Sequence, residues 1–321
     1  MSLTMKEVCV SVIIPTYGRP DKLIFSISSV LEQTYDNIEI IVVDDNGRDT
    51  NNQLITKRLL EEHELFTKVN YLILEFNSGG GLARNAGMEI AKGDYITFLD
   101  DDDIYFPDKI EKQLRGFKGN VEMVAIGTEL RLEESRGKNI YPRGSTPTEF
   151  LLDGLIMTPM IMIKKSAYQK GIKFLDIPRM QDHTFVLNFI LAGLSYTILD
   201  DIGYIHHAHL GERITNSSKG ILAIPILESL EKEVANKLGL SKNEFTAVEL
   251  KNDILKIEGV LNSSNNSLTI SNLTQVIRIM FKSIFNGKFK VSCRLLLRIT
   301  CGDRLYSSIK KKAHFVINRF T

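Results

Sequence analysis

The 321-residue chain is long enough for a large α/β domain with an appendage, and its 43% hydrophobic and 25% charged residues are those of an ordinary globular protein. No run approaches the ~18 apolar residues of a membrane span, and no basic stretch followed by an apolar segment marks a secretory leader. The three cysteines, Cys9, Cys293 and Cys301, are too few and too scattered for a disulfide framework or a zinc site, which fits a reducing cytoplasm.

In chain order, the apolar run Val8 to Ile14 predicts a buried parallel strand. A helix is expected from near Pro20, with Leu23, Ile24, Ile27, Val30 and Leu31 at helical spacing. Strands are expected at Glu39 to Val43, Val69 to Phe76 and Tyr95 to Leu99. Helices alternate with them across Leu54 to Leu59, Leu82 to Ile90, and from Pro107, where proline suits a first turn. Such alternation predicts a mostly parallel sheet with helices on both faces. Glu129 to Ser145 is polar and reads as a hairpin or long loop. Thr146-Pro147-Thr148-Glu149 has the form of a capping box. A strand at Met160 to Ile163, a helix at His183 to Leu191 and short strands at Tyr196 to Leu199 and Tyr204 to His207 follow. Beyond Gly220 the pattern is helical, broken by a polar linker at Asn262 to Ser267. The expected organisation is one domain over 1–220, with halves 1–128 and 129–220, and a helical, basic region over 221–321.

Four acids, Asp100 to Asp103, follow the fourth strand directly. Ligands of open α/β sheets bind at the carboxyl ends of strands, where these acids must lie. Two carboxylates ~5 Å apart repel by roughly 3 kcal/mol at an effective dielectric of about 20, so the cluster calls for a positive partner. Oxygen ligands suit Mg²⁺ or Mn²⁺, which takes its remaining ligands from water and phosphates. The plainer reading is that the acids favour the N-terminus of the next helix, but Asp108 and Glu111 already serve that purpose.

Four segments stand in order: Val12-Ile13-Ile14-Pro15-Thr16-Tyr17-Gly18-Arg19, Val42-Val43-Asp44-Asp45, Asn77-Ser78-Gly79 with Ala83-Arg84-Asn85-Ala86-Gly87, and Gly93-Asp94-Tyr95-Ile96 leading to Asp100 to Asp103. Together they resemble family 2 of the inverting glycosyltransferases, which have the GT-A fold. The resemblance implies a nucleotide-sugar donor, UDP-linked, bound by Pro15, Thr16, Tyr17, Arg19, Asp45, Asn77, Gly79, Arg84, Asp100 and Asp101. Tyr17 would pack on the base and Asp45 accept a hydrogen bond from it. Arg84 would fix the nucleotide or diphosphate, Asp100 would lie near the ribose, and Asp102 would hold the Mn²⁺ or Mg²⁺. Taken singly, Tyr17 and Asp45 read better as ordinary loop packing and turn chemistry.

The same resemblance makes Asp182 in Met180-Gln181-Asp182-His183 the base that deprotonates the acceptor hydroxyl, with Gln181 standing where the family usually has Glu. Helix capping is the bland alternative for Asp182. His209 is implied as a metal or near-metal residue and Arg213 as a partner of the leaving diphosphate, both equally compatible with plain loop structure. His207 with His209 lacks the further ligands of a zinc site. Thr158 and Pro159 are implied in the acceptor pocket.

The net charge of +1 conceals an asymmetry: residues 271–321 hold eleven Lys or Arg and one acid, Asp303, so they carry +10 and the other 270 residues −9. Ile277, Met280, Phe281, Ile284 and Phe285 there recur at helical spacing. The tail therefore reads as a peripheral membrane contact suited to a lipid-linked saccharide acceptor, or as a helix docked on the acidic body. No nucleic-acid reader motif accompanies the charge, so no nucleic acid is expected. The implied function is sugar transfer in bacterial surface-polysaccharide synthesis. The alternatives are a sugar nucleotidyltransferase, against which the lack of a glycine-rich phosphate loop at the first strand counts, and a silent membrane-tethered nucleotide-sugar binder.

Overall fold

The computed structural model describes residues 8–132, 137–208 and 222–263. Strand β1 (Val10–Thr16) is buried along nearly its whole length. Helix α1 (Pro20–Leu31) follows, entered through its proline. Strand β2 (Ile38–Asp44), α2 (Asn51–Glu62), β3 (Asn70–Ile73), α3 (Gly80–Ile90) and β4 (Tyr95–Phe98) continue the alternation. The Thr50 side chain starts α2 by accepting the Gln53 N–H. These four strands pair in parallel in the order β3-β2-β1-β4. Helix α3 lies close on this sheet because Gly87 has no side chain: a Cβ there would stand 2.5 Å from Ile13 Cγ2.

The second half adds β5 (Ile104–Tyr105), α4 (Lys109–Gly116), β6 (Val121–Leu132), β7 (Lys138–Ile140), α5 (Pro147–Asp153), β8 (Ile161–Lys164), α6 (Lys165–Gln169), α7 (Gln181–Leu191) and β9 (Ser195–Ala208). The capping box at Thr146 and Glu149 forms at the start of α5. β6 and β7 make an antiparallel hairpin. β8 lies antiparallel between β4 and β6, so all nine strands belong to one mixed sheet, ordered β3-β2-β1-β4-β8-β6-β9-β5 with β7 beside β6.

Two elements depart from the sequence expectation. Helix α4 begins at Lys109 rather than Pro107, because Ile104 and Tyr105 pair with β9 and the Phe106 N–H donates to Gly203 O at 2.9 Å. The two short strands near 200 are one, β9. Asp200 and Asp201 look like a turn in the sequence, but β9 runs through them beside β6, with register irregularities around Gly127.

The chain forms two compact units. One comprises Met1–Gly211 with Ser229–Gly239, and the other Glu212–Glu228 with Leu240–Thr321. Helices α8 (Ile224–Leu238) and α9 (Lys242–Ser263) follow the sheet, and α9 includes the first two residues of the expected linker. Among the described residues, no helix is long and apolar enough to cross a membrane. The basic segment 271–321 lies outside the described residues, as do His209 and Arg213.

Candidate active site

Parallel pairing of β1 with both β2 and β4 brings three strand ends together. The loop at Tyr17 therefore stands between Asp44-Asp45 and Asp100 to Asp103. The two acids ending β2 are committed within the protein. Asp44 Oδ1 accepts the Asn46 N–H at 2.9 Å and its side-chain amide at 2.8 Å, and the Tyr71 hydroxyl donates to Oδ2. Asn46 in turn accepts the Gly18 N–H at 2.8 Å, tying the first loop to the second. Asp45 is buried and holds the turn before α3, accepting N–H groups from Ser78 at 2.6 Å and Gly79 at 2.8 Å and the Asn77 amide at 3.3 Å. Gly79 can take this position because its φ of 84° suits glycine. Burial raises the Asp45 pKa, and the two N–H groups work against that rise. Tyr17 stays 57% exposed, an aromatic face open at the mouth of the site.

The four successive acids meet different partners. Asp100 accepts a hydrogen bond from Arg84 at 2.5 Å. Asp101 is buried: the Thr16 hydroxyl donates to Oδ2 at 2.8 Å and the Tyr17 N–H at 3.3 Å. Arg19 places a nitrogen 2.6 Å from Asp101 Oδ1, out of line for a hydrogen bond, and pairs with Asp102 through its other nitrogen. Asp103 is fully buried, with His206 Nδ1 3.1 Å from both oxygens and the His207 N–H donating to Oδ1 at 3.1 Å. The His207 ring Nδ1 lies 2.9 Å from the Asp102 carbonyl, so both histidines of β9 serve the acidic loop.

Burial pushes the Asp101 carboxyl up to about 6, although Arg19 and Thr16 oppose it. Burial raises Asp103 as well, against the His206 bond. His206 is drawn down by burial, but the bond and charge of Asp103 outweigh this and raise it. The positive partners that the sequence argument demanded are thus partly supplied by Arg84, Arg19 and His206.

The residues fit a divalent ion in one way only. Among the described residues no three His, Cys, Asp or Glu side chains converge as a protein-built cage. Asp102 offers a single hard oxygen donor beside a half-exposed arginine, which suits an ion that takes its other ligands from phosphates and water.

Asp182 stands in the first turn of α7, where the helix dipole favours a carboxylate. It is not the N-cap: that residue is Met180, in the left-handed region at φ 63° and without a side-chain cap. Asp182 Oδ1 accepts the N–H of His183 at 2.8 Å. Burial raises its pKa, His183 and Arg84 lower it, and Asp100 raises it again, so Asp182 and the acidic loop feel one another's charge.

The link between them is Gln181. Its Oε1 accepts from Arg84 at 3.3 Å and its amide donates to Ile177 O at 2.8 Å. The same side chain lies against the Gly80-Gly81 turn, where a Cβ on Gly81 would stand 3.1 Å from it. Sequence reasoning missed this, and it missed Asn46; Gln181 drew notice only as a departure from a pattern. Thr158 and Pro159, expected near the acceptor, are buried in a short turn before β8.

The sequence pattern of glycosyl transferase family 2 matches residues 11–184, more than half the chain and every site residue above except those of β9. The chain belongs to this family. The family 2 relatives include an uncharacterized glycosyltransferase of Haemophilus influenzae, 41% identical over 244 residues, 74% of this chain and 92% of that protein. Glycosyltransferase GlyG of Streptococcus pneumoniae is 25% identical over 245 residues, 71% of this chain and 80% of that protein. Poly(ribitol-phosphate) beta-N-acetylglucosaminyltransferase TarP of Staphylococcus aureus is 30% identical over 205 residues, 61% of each chain. Among solved structures, S. aureus TarS 1-349 in complex with UDP-GlcNAc aligns with a TM-score of 0.57 at 18% identity, covering 90% of this chain and 86% of that one. At that identity the likeness establishes the shared GT-A fold, and the family 2 match makes the protein a glycosyltransferase.

Proposed function

We propose that the protein transfers a sugar from a UDP-linked donor to an acceptor hydroxyl with inversion, in the building of a bacterial surface polysaccharide. The observation that carries this reading is the Arg84 bridge, which joins Asp100 to the turn that presents Asp182. Donor-side charge is thereby linked through one guanidinium to the residue next to a carboxylate of raised pKa. Tyr17 offers an exposed ring for the base, and Arg19 a half-exposed cation for the diphosphate. Asp182 takes the acceptor proton, and the freed oxygen attacks the anomeric carbon. The bond from that carbon to the diphosphate oxygen breaks, its electron pair leaving with UDP. A divalent ion held by Asp102, Mn²⁺ or Mg²⁺, would neutralise charge on the leaving diphosphate.

The UDP reading draws on the TarS complexes with UDP-GlcNAc and UDP, and the polymer reading on the names of TarP and of an amylovoran biosynthesis glycosyltransferase of Erwinia amylovora. The ion draws on a GT-A mannosyltransferase from Pyrobaculum calidifontis in complex with GDP-Man and Mn²⁺. The eleven Lys and Arg of residues 271–321 would hold the enzyme against the inner membrane face, near a lipid-linked acceptor.

The test is calorimetric titration of UDP, GDP, CDP, ADP and NAD, with Mn²⁺ and with chelator. UDP binding that requires Mn²⁺ and vanishes in Asp102→Ala is the expected result. Binding of no nucleoside diphosphate, or equal binding by the variant, overturns the donor site as drawn.

A further inference from the structure

We propose that Glu231 of α8 is a positioning residue for Asp182 and acts through His183, an inference that rests on Asp182 being the base. The start of α7 is strained, although Thr184 bonds back to Met180 O through its N–H and its hydroxyl. Met180 adopts φ 63° and ψ 28°, a left-handed conformation unfavourable for a residue with a Cβ, and it supplies no side-chain cap. Such a conformation persists only where its surroundings over-determine it.

His183, in the same turn, is held by residues outside the helix. Its ring stacks on Phe150, with centroids 5.0 Å apart and planes at 22°. Its Nε2 lies 2.8 Å from Glu231 Oε1, and both residues are buried. Phe150 is itself wedged: a Cβ on Gly144 or on Gly154 would stand 2.4 Å or 2.3 Å from it. The imidazole therefore has one face and one edge fixed. The backbone N–H of the same residue donates to Asp182 Oδ1, so a fixed His183 fixes the carboxylate beside it.

Helix α8 holds α7 at its far end too, where Lys237 Nζ donates to Leu191 O at 2.5 Å. Burying Glu231 beside an imidazole costs desolvation that a leucine would avoid. What the pair provides is direction, since an aliphatic contact would let the ring slide along Phe150.

The experiment uses the full chain and three variants, Glu231→Leu, Glu231→Gln and Asp182→Asn. UDP affinity is measured by calorimetry with Mn²⁺, UDP release with UDP-GlcNAc as the probe donor, and amide exchange over residues 180–186. Glu231→Leu keeps the volume and removes the hydrogen bond. It is expected to lower kcat for UDP release at least tenfold while KM and UDP affinity stay within twofold. Exchange of the Thr184 N–H, which donates to Met180 O at 2.9 Å, should quicken. Glu231→Gln should restore most of the rate and the protection.

Wild-type rate and protection in Glu231→Leu overturn the proposal, as does a parallel loss of rate and donor affinity, or a Gln variant no better than Leu. Should Glu231→Leu fail to accumulate as folded protein, His183→Phe is read by the same criteria, since it keeps the stack and loses the bond. Should the wild type release no UDP from this donor, the exchange result alone decides. Full activity in Asp182→Asn sinks the base and leaves the exchange measurement standing. Loss of activity there together with an unaffected Glu231→Leu sinks this proposal alone.

Discussion

Arg84 donates to Asp100 at 2.5 Å through one terminal nitrogen and to Gln181 at 3.3 Å through the other, joining two residues 81 positions apart in sequence around one guanidinium. A lysine cannot reproduce that fork, because its single ammonium reaches one partner at a time. Arg84→Lys is expected to reduce kcat/KM about 100-fold by misplacing both ends of the site. It should also lose about 1–3 kcal/mol of stability through the partner left unpaired. Steady-state kinetics and urea unfolding read the two effects separately, and a variant within twofold of wild type in rate would refute the bridge.

Tyr17 makes the opposite prediction. Its ring is largely exposed, so Tyr17→Ala should leave the unfolding midpoint unchanged. If a base stacks on it, UDP affinity should fall by about 1–3 kcal/mol, or roughly 5- to 150-fold. Calorimetry with Mn²⁺ checks this, and unchanged affinity would remove Tyr17 from the donor site.

Asp101 makes stability depend on pH in an unusual sense. Its folded pKa of about 6 lies above the ordinary 3.8, so the folded state binds the proton more tightly than the unfolded chain. Its contribution is fully present below pH ~4 and is lost as pH rises through about 6. Relative to Asp101→Asn, the wild type should therefore lose stability between pH 4 and 6. Urea titrations of both proteins across that range give the difference directly. A difference that is flat, or that grows with pH, would show the carboxyl to be unshifted.

Gly87→Ala tests the seat of α3. The added methyl would stand 2.5 Å from Ile13 Cγ2 and 3.2 Å from Val43 Cγ2, in a core that cannot give way there without moving the helix. A loss of about 1–3 kcal/mol is expected. Donor affinity should weaken as well, since α3 carries Arg84.

The parallel half was readable in the sequence because Val10 to Ile14 and Ile40 to Val43 are buried runs, and such runs have few alternatives. The acidic cluster was legible because the ends of parallel strands gather ligands, whereas Tyr17, Asp45 and Arg84 stood out only through the resemblance to family 2. The cluster's partners were not legible. Nothing in the spacing of Arg19, Arg84 and His206 says which acid each will meet, because those pairings depend on loop paths that no periodicity records. The join of the two expected short strands into β9 was not legible, since the register with β6 is irregular between Ile198 and Ile202. Nothing in the sequence singles out Glu231, since only folding brings it within 2.8 Å of the His183 ring.

The antiparallel ladder between β4 and β8 has a practical meaning for anyone dissecting the enzyme. It pairs Tyr95, Ile96 and Thr97 with Lys164, Ile163 and Met162, and the Thr97 hydroxyl bonds Ile161 O at 2.8 Å. A fragment ending near Thr128 would contain all of the nucleotide-side residues yet expose that apolar strand along its length. Such an edge invites pairing with another molecule. The fragment is therefore expected to precipitate or self-associate, and donor binding is best studied in a chain that keeps β8.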